Sequence, residues 1–236
     1  MLRLFFGLLL LATACAPARY AAHTLDAPAL MAHRTVAILP FEVTQDRLRL
    51  RDIHYIAADT SRAALQRVQQ EWHDKQRREG QAVAYQLQAL LQARLREQQP
   101  PLGYSVQFQE VAETNRRLQQ AGISYATLPE QSMEQLRQVL GVDAILSGQT
   151  DLYQPLPAGL GFAARALLQE PLLGSTAPSA IPSSQATTNL TLHDCRTGQL
   201  VWRFDFERLG NAALRPTRLT RDLVRTSAAG FPYRKK

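Results

Sequence analysis

Apolar and polar positions along this chain fall into blocks whose period changes several times. The first block, Leu4–Leu11, carries no charge, follows Arg3 and gives way to Ala12-Thr13-Ala14-Cys15. Ala16 to Met31 are poor in large apolar groups and include Pro17 and Pro28, which predicts a flexible tether. Arg34–Val43 then reads as a strand covered on both faces, with Pro40 ending its regular pairing. From about residue 57 to 98 the spacing turns helical. Leu65, Val68 and Trp72 make one stripe, Val83, Leu87, Leu90, Leu91 and Leu95 another, and Gly80 is the expected break. Tyr104–Phe108 alternates and predicts a second strand. Two shorter helices, near 111–120 and 130–140, should stop at Gly122 and Gly141. Val142–Gly148 reads as a buried third strand. Thr188–His193 and Gln199–Phe204 form a hairpin around Asp194–Gly198, with Gly198 available for a left-handed conformation, and a helix over about 217–228 follows. Alternating strands and helices closed by a hairpin predict one α/β domain over residues 34–236. Its mixed β-sheet is flanked by helices and ends in a C-terminal helix.

The amino terminus changes this picture most. One positive charge, a short apolar run and small residues before a cysteine have the shape of a secretory signal over residues 1–14. The run is about half the roughly 20 apolar residues that cross a bilayer as a helix, so it predicts export and not a transmembrane anchor. Ala12-Thr13-Ala14-Cys15 resembles the lipobox of bacterial lipoproteins, although the usual leucine stands one place early, at Leu11. It implies cleavage before Cys15 and a covalent diacylglycerol and N-acyl lipid on that residue. The ordinary alternative is a secretory signal cut after Ala14. With Cys15 acylated, Cys195 is the remaining cysteine and has no partner within the chain, so the fold must stand on its core. Residues 15–33 are then a lipidated tether.

Composition narrows the chemistry. Hydrophobic content is 45%, and the net charge of +7 becomes +6 when Arg3 leaves with the signal. A basic excess suits lipid headgroups or cell-wall carboxylates, but the plainer and preferred reading is a soluble, solvated surface. Nucleic acid is not an expected partner, since no such motif is present. No nucleophile elbow, phosphate loop, dinucleotide fingerprint or zinc-protease motif occurs. His23, His33, His54, His73 and His193 are scattered; His193 and Cys195 lack the further ligands a zinc site needs. The acidic pairs Glu71/Asp74 and Glu110/Glu113 lie in polar helical stretches and read as solvated surface. Trp202, an aromatic in a strand, reads as core.

Three segments share a further likeness. Thr35–Phe41, Leu140–Gly148 and Leu192–Trp202 resemble, in order and spacing, the first strand, the LG-x-DA-x-x-x-G helix-to-strand element and the Asp-x-x-Thr-Gly hairpin of a group of bacterial envelope lipoproteins. That group includes the curli-export channel lipoprotein and the peptidoglycan-synthase activator lipoprotein, and shares a fold with the TolB amino-terminal domain. The resemblance covers most of residues 34–206. It implies that fold and a binding role in place of catalysis; it does not choose among assembly factor, channel subunit and regulator.

Two surfaces stand out. Residues 155–185 are long for a connection and nearly uncharged. Leu160, Phe162, Leu167, Leu168, Leu172 and Leu173 make them a candidate partner-binding segment, against the plainer reading of a helix packed on its own sheet. Arg218, Arg221 and Arg225 share one face of the last helix, as a basic patch or as an ordinary solvated face. The expectation is a non-enzymatic lipoprotein with no cofactor beyond the Cys15 lipid. It is held to the bilayer through Cys15, and Ala16 after the cysteine suits the periplasmic face of the outer membrane. It docks to other envelope proteins or to itself; the alternative is a subunit of an oligomeric outer-membrane secretion channel.

Overall fold

The computed structural model describes residues 18–47, 49, 62–157 and 183–235. Its longest strand, β5 (Ala144–Gln154), organises the rest. On one side it pairs in parallel with two short strands in turn. β2 (Thr35–Ile38) runs beside Ala144–Leu146, and β3 (Glu42–Arg47) beside Gln149–Gln154. Leu39 N still donates to Leu146 O at 3.0 Å, and the chain leaves the ladder at Pro40, which cannot donate a hydrogen bond, and Phe41. On the other side β6 (Gln185–Asp194) and β7 (Leu200–Leu209) continue antiparallel, and β1 (Arg19–Thr24) pairs antiparallel with β7. A two-residue strand β4 (Gln107–Phe108) pairs in parallel with β2. Among the described residues the mixed sheet has seven strands, ordered β1-β7-β6-β5-β2-β4, with β3 beside β5.

Alternation along β5, β6 and β7 sets the two faces. Leu146, Leu152, Leu190, Leu192, Trp202, Phe204 and Phe206 are buried on one face. There they meet helix α2 (Arg62–Glu97) and helix α5 (Pro216–Ser227). Ala84, Leu87, Leu91 and Leu95 supply the buried stripe of α2, at helical spacing. Buried Gln88 and Gln92 donate to Ile38 O at 2.7 Å and Gln109 O at 2.7 Å, tying α2 to the ends of the strands. A smaller cluster of Ala37, Leu39, Leu118, Leu136, Leu140, Ile145 and Cys195 lies under α3 (Val111–Gln120) and α4 (Met133–Leu140). Helix α4 starts in a full Ser132/Gln135 capping box and stops at Gly141, φ 63°.

The structure corrects three expectations. Residues 19–33 are not a tether: β1 is hydrogen-bonded along its length to β7. It is followed by helix α1 (Ala27–Ala32), which Asp26 caps by accepting from Ala29 N at 2.9 Å. Gly80 does not break a helix, because α2 runs unbroken through it. The glycine is buried against β3, where a Cβ would stand 3.0 Å from Val43 O, so it permits close passage of helix over strand. The second predicted strand shrinks to Gln107–Phe108, and Tyr104 makes an isolated bridge to Arg234. That bridge belongs to a carboxy-terminal tail whose Phe231 ring is packed among Tyr104, Phe108, Trp202 and Tyr233. No described helix is long and apolar enough to cross a membrane.

Candidate functional site

The three motif segments meet at one end of the sheet, and their polar residues face one another. Asp143, just before β5, accepts from Arg34 N at 2.8 Å, Thr35 N at 2.9 Å and Thr35 Oγ1 at 3.1 Å. Burial raises its pKa; these hydrogen bonds outweigh that and hold the carboxyl below its ordinary range. Its carbonyl accepts from Cys195 N at 2.9 Å, joining the same residue to the hairpin. In the hairpin Asp194 Oδ1 accepts from Arg196 N at 2.6 Å and Thr197 N at 3.2 Å, and Gly198 takes φ 72°. The last motif glycine, Gly148, lies flat under the Phe41 ring of the first motif; a methyl there would overlap the ring. Each motif residue is thus a joint between β2, β5 and the hairpin.

Beside these joints His33 is buried, with Nδ1 2.7 Å from the Tyr233 hydroxyl and Nε2 3.7 Å from Asp194 Oδ2, too far for a hydrogen bond. Burial lowers its pKa, against the pull of the Asp194 carboxylate, so the neutral ring is favoured. Burial also raises the Tyr233 hydroxyl, and pushes the Cys195 thiol up to about 12. Cys195 is therefore a packed neutral thiol, not a nucleophile. His193, on the β6 side of the hairpin, is held neutral by burial. Among the described residues no three His, Cys, Asp or Glu side chains cluster as metal ligands. Asp74 pairs with Arg77, Glu110 with Arg96, and Glu113 with Arg116 and Arg117, as surface carboxylates do. The site is a structural joint that fastens the amino-terminal edge, through His33, to the carboxy-terminal tail.

Cys15 and the apolar set Leu160, Phe162, Leu167, Leu168, Leu172 and Leu173 lie outside the described residues. Their attachment points are described: Tyr153 of β5 pairs with Gln185 of β6. Arg218, Arg221 and Arg225 are all exposed on α5. Two of them have a partner that periodicity did not reveal. Buried Asp222 is ion-paired with Arg208 of β7, and also with Arg225 at 3.2 Å and Arg221 at 3.8 Å. The basic face is accordingly less cationic than its spacing implied.

The surface that sequence reasoning missed is the flank built by β1 and α1. All six residues of β1 are exposed, and Tyr20, Leu25 and Met31 are 57%, 59% and 72% exposed. An open cleft of about 420 Å³ runs beside it, lined by Thr24, Leu30, Met31, Phe231 and Pro232 among others. The usable signals were Asp26 three residues before Ala29, and Pro28 in the first turn of a helix.

No family model matches the chain, and no curated protein does. Similar solved structures do exist. The PelC dodecamer from Paraburkholderia phytofirmans is 10% identical with a TM-score of 0.40, over 93% of this chain and 100% of that one. Lipoprotein GNA1162 from Neisseria meningitidis is 15% identical with a TM-score of 0.42, over 84% and 95%. The LpoB C-terminal domain from Salmonella enterica is 9% identical with a TM-score of 0.28, over 72% and 78%.

Proposed function

We propose that this protein is a lipid-anchored envelope lipoprotein whose domain acts as a non-enzymatic binding or assembly factor for other envelope proteins. The observation that carries the reading is the junction between Leu4–Cys15, an export and acylation pattern, and the sheet. Four residues after Cys15 the chain enters β1, so a lipid on Cys15 would hold the sheet within about 14 Å of its attachment. The motif residues support the non-enzymatic part, because Asp143, Gly148, Asp194 and Gly198 are engaged in holding strands together.

The proposed partner-binding segment joins β5 to β6. Those strands are antiparallel neighbours paired up to Tyr153 and Gln185, where a hairpin of about 2–5 residues would suffice. Residues 155–184 stand there instead, and they carry the apolar set from Leu160 to Leu173. Photocrosslinking in intact cells tests the reading, with the native chain and with a variant in which residues 158–182 become a short Gly/Ser linker. The expected result is adducts to specific envelope proteins that the variant loses while staying folded and membrane-bound. Adducts only to further copies of the chain, in a large detergent-stable assembly, would establish the channel-subunit alternative instead.

A further inference from the structure

We propose that the β1–α1 flank is a membrane-contact surface, seated on the headgroup layer of the bilayer that holds the Cys15 lipid. The inference rests on the lipoprotein reading and adds to it an orientation and a set of contacting residues. Its first support is reach. Arg19 stands four positions after Cys15, and four fully extended residue steps span at most about 14 Å. The β1 edge therefore cannot leave the interface, whereas a tether running to residue 33 would have let the domain turn freely.

The second support is chemistry. Tyr20, Leu25 and Met31 all lie within the first residues after that link, and all are more than half exposed. Tyrosine suits the headgroup level, where its ring is apolar and its hydroxyl wet. Around them stand exposed cations: Arg19 at the start of β1, Arg34 after α1, and Arg234 of the tail, which lines the same cleft as Met31 and is followed by exposed Lys235. The Arg34 guanidinium bonds the carbonyls of Met31 and His33, which fixes its position and leaves its charge intact. Three carboxylates face the same region: Asp26, which caps α1, Glu207, opposite Arg19 across the ladder, and Asp205, opposite Ala21 and ion-paired with Arg203 at 2.7 Å. The balance remains positive, as anionic headgroups require. The edge is also a strand with a free side among the described residues, where β1 pairs only with β7, and a wet interface leaves its outer N–H and C=O groups solvated.

The test uses the full lipidated protein in phosphatidylcholine/phosphatidylglycerol vesicles whose headgroups carry a nitroxide. Single cysteines take a bimane fluorophore at Leu25→Cys and Met31→Cys on the flank. Controls are Gln119→Cys on α3, and Arg218→Cys on α5. Position 119 lies toward the opposite sheet edge, five strand spacings or about 24 Å away. Acylated Cys15 and buried Cys195 do not compete for the label. The inference predicts quenching at 25 and 31 several-fold stronger than at 119 and 218. Strongest quenching at 218 would overturn it by showing that the domain stands on its helical face. Equal quenching at all four sites, with acyl chains confirmed on Cys15 by mass, would overturn the orientation and leave the lipoprotein reading standing. Shielding of 25 and 31 that grows with protein density, without quenching, would overturn it in favour of a second copy covering the edge. A protein that lacks acyl mass and does not float with vesicles would overturn both readings together.

Discussion

Asp143 shows how one side chain can fix the order of a fold. Its carboxylate gathers two amides and a hydroxyl from the start of β2, and its carbonyl takes the amide of Cys195. Three stretches distant in sequence are thereby brought to one place. Gly148 does the complementary work by being small: the fully buried Phe41 ring lies on its backbone. Gly148→Ala should lower stability by about 1–3 kcal/mol, the usual cost of an extra methyl in a packed core. Urea unfolding of the domain measures this, and Phe41→Leu in the same chain should recover part of the loss. An unchanged midpoint would mean that the ring has room to move. The residues carrying this joint were legible in the sequence as motifs. What they do was not, since the Asp143–Thr35 contact spans 108 positions.

At the scale of elements, legibility followed burial. The apolar half of β5 stood out, but its second half alternates Thr150, Leu152 and Gln154 inward with Gln149, Asp151 and Tyr153 outward, too polar a pattern to extend the prediction. β1 left no pattern at all, because every one of its residues is exposed and its order comes from backbone pairing with β7. In α2 the usual meaning of a helical glycine was overridden by the passage of β3 beside Gly80. Residues 19–33 can be tested directly as structure against tether. Removing them from a Cys15→Ala chain deletes six ladder positions, buried Leu30 and the His33–Tyr233 hydrogen bond, and uncovers the edge of β7. The shortened domain should melt well below the full one and aggregate more readily. Equal melting temperatures would restore the tether.

Among the described residues the molecule is one sheet with helices packed on both faces, and a clasp holds its amino-terminal edge to the carboxy-terminal tail. Tyr233 reaches His33, Trp202 Nε1 donates to Gly230 O at 3.0 Å, and Ser105 N donates to Tyr233 O at 2.8 Å. The consequence is mechanical: a lipid at Cys15 would pull on an edge that the last residues of the chain hold closed. Anchoring of the domain at the bilayer depends on that lipid. Intact mass spectrometry of the protein extracted from membranes, beside Cys15→Ala, tests it most directly. The prediction is a mature chain that begins at Cys15 and carries a diacylglyceryl group and an N-linked acyl chain, with the Cys15→Ala protein recovered in the soluble fraction. A mature chain cut after Ala14 with an unmodified Cys15, or a Cys15→Ala protein that still fractionates with membranes, would contradict it.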